Sequence, residues 1–116
     1  MNIWTPIPIE ELDNLIQKNQ TELHGQFWNF WQLIKINPVK WQEEEYGDEG
    51  GGFWVVAICG TKVIWYNDIE EGFNISNYTQ WGKIDEYCCN QDEINIAVMR
   101  MSEFITYNSN TIEQTR

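Results

Sequence analysis

The segment from Phe53 to Asn67, Phe-Trp-Val-Val-Ala-Ile-Cys-Gly-Thr-Lys-Val-Ile-Trp-Tyr-Asn, constrains the fold more than any other part of the chain. Two runs of β-branched and aromatic residues flank a two-residue break. Glycine stands first in that break, where a tight hairpin turn requires positive φ. A hairpin closed at Gly60-Thr61 pairs Cys59 with Lys62, Ala57 with Ile64 and Val55 with Tyr66 on one face. On the other face it pairs Ile58 with Val63, Val56 with Trp65 and Trp54 with Asn67. Both faces are apolar, so these strands are central and must be covered on both sides. Helices are expected over one face. Loops, the amino-terminal segment or a second subunit are expected over the other.

The remaining elements are read by periodicity. Ile9, Leu12, Leu15 and Ile16 recur at helical spacing, with Pro8 suited to a first turn and Glu10, Glu11 and Asp13 near the positive end of the dipole. A helix is expected over 8–20. The aromatic run 27–36 reads as a strand ended by Pro38. Residues 82–88 alternate apolar and charged side chains, as a half-exposed strand would. Asn90 and Glu93 form a capping pair before a second helix, whose apolar face is Ile94, Ala97, Val98, Met101 and Ile105. That helix should end near 106, with a frayed tail over 107–116. The expected fold is α+β, one domain over 1–116. It has a mainly antiparallel four-stranded sheet and two helices on one face, in the order α-β-β-β-β-α.

Two acidic stretches lie between these elements. Residues 40–52 carry five acids and four glycines, which predicts a solvated, mobile loop. Residues 68–78 read as a long irregular link. At the start of this link, carboxylates and amides emerge beside aromatics at a strand end. Trp65, Tyr66, Asn67, Asp68, Glu70, Glu71, Phe73 and Asn74 are therefore interaction candidates, together with Glu43, Glu44 and Glu45 of the glycine-rich loop.

Charge and composition narrow the chemistry. Eighteen acids against seven bases, a net charge of −11, disfavour a nucleic-acid backbone or an anionic membrane as partner and favour a basic protein. Seven Trp, five Tyr and five Phe supply a core and anchors for an interface. His24 is the only histidine and sits far along the chain from Cys88 and Cys89, so no nucleophilic triad is indicated. Cys59, Cys88 and Cys89 have no metal-ligand spacing and form no disulfide framework. Without a leader or a membrane-length apolar run, a reducing cytoplasm is expected. No catalytic residue, metal or cofactor is assigned. A non-catalytic binding protein for a basic partner is the leading expectation. The alternatives are a small enzyme or ligand-binding protein using Asp68, Glu70 and Glu71, and a homodimeric subunit that associates through the 27–36 strand.

The segments Val63-Ile64-Trp65-Tyr66-Asn67-Asp68-Ile69-Glu70-Glu71-Gly72-Phe73-Asn74 and Glu86-Tyr87-Cys88-Cys89-Asn90-Gln91-Asp92-Glu93 resemble those of small intracellular bacterial proteins of similar length without assigned activity. The resemblance is best over 53–104 and implies no catalytic residues. In size, charge and aromatic content the chain also looks like immunity proteins of bacterial toxin systems, an analogy without a diagnostic motif.

Overall fold

In a computed structural model, which describes residues 4–114 and their side chains through Thr106, three helices pack against one four-stranded sheet. The elements are α1 (Ile9–Gln20), α2 (Gly25–Ile34), β1 (Lys35–Trp41), β2 (Phe53–Cys59), β3 (Lys62–Asn67), β4 (Gly72–Asn77) and α3 (Ile94–Gln114). Every neighbouring pair of strands is antiparallel, in the spatial order β1-β2-β3-β4. The last helix, expected to end near 106 with a frayed tail after it, instead runs on to Gln114, a stretch without Gly or Pro to stop it.

The hairpin stands at the centre as expected, with Gly60 at φ +60° in its turn. Cys59↔Lys62, Ile58↔Val63 and Ala57↔Ile64 pair as read from the sequence. Beyond them the register slips: Trp65 opposes Val55, not Val56, and Tyr66 opposes Trp54. Val56 is the extra residue of a bulge. It turns Val56 and Ala57 to the same face and reverses the expected sides of the residues before it.

Two corrections concern the ends of the sheet. Residues 27–36 are mostly helix α2, not a strand. Phe27, Phe30, Trp31 and Ile34 follow the three-and-four spacing of a helical stripe, and Trp31 and Ile34 are buried. The strand comes after them and runs through Pro38, which an edge strand with a register break tolerates. The fourth strand is β4, inside the expected link, whereas 82–88 forms no strand of the sheet. The order is thus α-α-β-β-β-β-α, with three helices.

The two faces of the sheet are covered differently. Leu12, Ile16, Trp31, Ile34, Ile94, Ala97, Val98 and Met101 from the helices bury Val56, Ala57, Ile64, Tyr66 and Phe73. The opposite face buries Trp41, Phe53, Val55, Val63 and Trp65 beneath Trp4, Tyr78, Ile84, Tyr87 and Cys88. Loop and amino-terminal segment therefore close the second face.

Polar contacts fasten that loop. Asn67 Nδ2 donates to Tyr87 Oη and the Cys88 carbonyl, each at 2.9 Å. Asn74 donates to the Asn90 carbonyl at 3.0 Å and accepts from the Asn90 N–H. Ser76 Oγ accepts from Trp65 Nε1 at 2.9 Å and donates to the Glu86 carbonyl at 2.8 Å. Asn67, Asn74 and Ser76 are at most 1% exposed, so each polar group needs these partners. Asn90 serves this docking instead of capping α3, which starts four residues later at Ile94. The docked backbone passes so close to Gly72 that a Cβ there would lie 2.2 Å from Gln91 Cα.

Candidate functional site

The β3–β4 turn is built around Asn67. Its Oδ1 accepts the N–H groups of Ile69 at 2.9 Å and Glu70 at 3.1 Å, while its carbonyl accepts the Glu71 N–H at 2.7 Å. This tight wrap places Glu71 at φ +59°, the only positive φ among the described non-glycine residues. Such a backbone is unfavourable for a residue with a Cβ, and strain of this kind clusters at functional sites.

Glu71 faces a cleft of about 310 Å³ between the turn, the extended segment Thr5–Pro8 and α1. Glu11 from α1, Asp68 and Glu71 line it together with Tyr66. A second cleft of about 380 Å³ shares Tyr66 and Glu71 and continues past Gly72 and Phe73 to Asp92 and Glu93. The two form one acidic groove along the end of the sheet. Among the described residues Lys18 is the one base lining it, and Arg100 is held by Asp92 at 2.7 Å.

Asp68 anchors the wall of the groove. Its Oδ2 accepts the Ile7 N–H, and the Ile7 carbonyl accepts from Trp54 Nε1 at 3.0 Å. Its Oδ1 is buried with no partner among the described residues. Burial raises its pKa above the usual carboxylate value, against the hydrogen bond from Ile7 and the attraction of Lys40. Lys40 is itself lowered by burial, against Asp68; its ammonium lies 5.0 Å from the Trp54 ring and donates to the Gly52 carbonyl at 3.1 Å. Burial also raises the Tyr66 phenol, with Glu71, Asp68 and Glu11 adding to the effect. Glu71, Asp68 and Glu11 thus stand close enough to the Tyr66 phenol to disfavour its ionisation.

The candidates read from the sequence divide into three groups. Tyr66, Asp68, Glu71 and Phe73 meet at the groove. Trp65, Asn67 and Asn74 are fully buried on the loop-covered face, and Glu70 sits on the side of Tyr87, whose phenol its charge helps to raise after burial. Glu43, Glu44 and Glu45 lie together elsewhere, beside Lys83 and Asp85.

The glycine-rich acidic loop corrects the expectation of a wholly solvated segment. Glu43 is 2% exposed. Its carboxylate accepts the N–H groups of Glu45 at 3.1 Å, Tyr46 at 2.7 Å and Gly47 at 3.0 Å. The loop then forms a 3₁₀ turn over Gly47–Gly50, with Trp4 Nε1 donating to the Tyr46 carbonyl at 3.1 Å. Glu44 is exposed and pairs with Lys83. Glu43 is therefore structural, a role that Glu44 and Glu45 do not share.

Glu11 joins the groove although nothing in its local sequence marks it as a site residue. Its place in an amphipathic helix marked it as ordinary solvated charge, and only tertiary packing brings it opposite Glu71. Among the described residues, no three His, Cys, Asp or Glu side chains gather where they could hold a metal ion. No helix there is long and apolar enough to cross a membrane. Protein-family models, curated proteins and solved structures give no match to the chain.

Proposed function

We propose that this is a non-catalytic binding protein that receives a basic segment of a partner protein in the acidic groove. The observation that carries the reading is the meeting of Glu11, Asp68 and Glu71 around Tyr66 from two well-separated parts of the chain. Lysine or arginine side chains would meet the exposed carboxylates of Glu11 and Glu71 there, Asp68 holding the wall behind them, and the net charge of −11 would draw a basic partner toward the protein. Masking the basic surface of a toxin, as an immunity protein does, is the biological form of this reading. An enzymatic alternative has the raised Asp68 carboxyl in a concave site in its favour. Against it, one Asp68 oxygen is committed to the Ile7 backbone and the only histidine stands exposed before α2.

The test uses immobilised wild-type protein and the Glu11→Gln/Glu71→Gln variant, both exchanges at exposed side chains. Native lysate is passed over each, and a fluorescent Lys/Arg-rich peptide is titrated in parallel. The wild type should retain a basic protein that salt elutes. The variant should bind the peptide about tenfold more weakly at low salt, as loss of close charge pairs predicts. Equal peptide binding by both proteins, or no retained basic protein, overturns the proposal.

A further inference from the structure

Residues 4–8 run from the loop-covered face of the sheet to the start of α1 and form one wall of the acidic groove. They join no strand, and Pro6 and Pro8 have no N–H to offer. Among the described residues, three side-chain hydrogen bonds hold the segment. Trp4 Nε1 donates to the Tyr46 carbonyl at 3.1 Å, Asp68 Oδ2 accepts the Ile7 N–H, and the Ile7 carbonyl accepts from Trp54 Nε1 at 3.0 Å. The outer end is seated by packing. The Trp4 ring stacks on Phe53 with centroids 5.1 Å apart and planes 13° apart. A Cβ on Gly50 would lie 2.3 Å from Trp4 Cζ2, so that glycine makes room for the indole. Peripheral segments with so few anchors belong to the low end of local stability and open first.

Asp68 is the point where this segment meets the groove. Glu11 and Glu71 are exposed, whereas Asp68 is partly buried. One of its oxygens is engaged by the Ile7 backbone, and the other is buried with no partner among the described residues. Lys40 attracts it without forming an ion pair among those residues. A carboxylate oxygen held out of water without a donor is costly. With the segment seated, the groove offers a cation two carboxylates. With the segment lifted, Asp68 regains water and all three carboxylates face the groove. A basic ligand therefore favours the lifted state, and a ligand shifts a conformation only through such a difference in affinity.

We infer that residues 4–8 are an autoinhibitory strap, which when seated hides Asp68 from a basic segment and when lifted completes a site of three carboxylates. The inference rests on the basic-partner reading of the groove. Trp4 sets the balance from the far end of the strap. It does not line the groove, so a change there alters binding only by way of the strap.

The test titrates the fluorescent Lys/Arg-rich peptide at low salt into four full-length proteins: wild type, Trp4→Ala, Asp68→Asn and the double variant. Trp4→Ala should bind about three- to tenfold more tightly than wild type, the upper end being the gain from one close charge pair. Asp68→Asn keeps an acceptor for the Ile7 N–H and should leave wild-type binding nearly unchanged, yet abolish the gain from Trp4→Ala. Trp4→Phe keeps the stack on Phe53 and loses the indole donor. It should show a smaller gain, and it keeps the test decisive if removal of the whole ring loosens the fold. In isotope-labelled wild type, the Trp4 indole N–H signal, assigned by its absence from Trp4→Phe, should move toward that of a solvated indole as the peptide saturates. Binding by wild type with no gain in either Trp4 variant overturns the strap and leaves the groove standing. A gain that survives Asp68→Asn does the same. No binding by any of the proteins overturns the groove reading and the strap with it.

Discussion

The two acidic stretches look alike in the sequence and differ in the folded protein. Glu43 turns inward, and its oxygens are satisfied by three backbone N–H groups that hold the 3₁₀ turn. Glu71 turns toward an open cleft, and its backbone is held at φ +59° by the Asn67 wrap. One carboxylate organises the chain around it. The other is carried by a strained backbone and leaves its charge available to a partner. Charge density alone therefore does not reveal a site; what matters is which lone pairs the fold has already engaged.

Substitution of Glu43 tests that contrast most severely. Glu43→Ala would strand buried N–H groups and should destabilise the protein by about 3 kcal/mol in urea titration. Glu44→Gln and Glu45→Gln should each leave the urea midpoint essentially unchanged, as exposed charges do. If all three behave alike, the loop is the solvated segment its composition suggests, and the contrast fails.

The opposite sign is expected at Glu71. Glu71→Gly relieves the left-handed backbone strain, partly offset by the entropy glycine loses on folding, and should stabilise by about 0.5–1 kcal/mol. The same variant should bind the basic peptide more weakly. A gain in stability with a loss of binding would mark a residue kept for function. A loss of stability would show that the Glu71 side chain is itself a structural contact.

The smallest effect concerns Asp68 and its dependence on pH. Its folded pKa is raised, so the folded protein takes up a proton more readily than the unfolded chain. The contribution of this group is full below its unfolded pKa and is lost as pH rises through the folded value. Asp68→Asn keeps an acceptor for the Ile7 N–H and removes the buried charge. Its denaturation midpoint should slightly exceed that of the wild type at pH 7, and the difference should vanish as pH falls through the raised pKa. A difference that persists at low pH would mean that hydrogen bonding, not charge, separates the two proteins.

The sheet faces explain why the fold was partly legible. The central hairpin, α1 and the apolar stripe of α3 follow from local periodicity and turn chemistry. Phe27, Phe30, Trp31 and Ile34 carry the helical spacing of α2, but the β-propensity of the same aromatic and β-branched residues masks it. For β4, alternation was present in Phe73-Asn74-Ile75-Ser76 and was hidden because its polar side is also buried. Asn74 and Ser76 look solvated until a distant segment supplies their partners. The alternation of 82–88 was real as well, yet it serves a loop that places Ile84 and Tyr87 on the sheet.

The sequence by itself determined a central apolar hairpin, an α+β fold with an antiparallel sheet and a strongly acidic balance, because short-range spacing and composition are properties of the chain. Tertiary structure alone decided the bulge at Val56, the burial of Glu43, the amide-fastened cover of the second face and the gathering of Glu11 with Asp68 and Glu71. Each of these depends on what distant residues offer a polar or apolar group. A carboxylate or an asparagine carries no mark of whether water or a buried N–H will satisfy it.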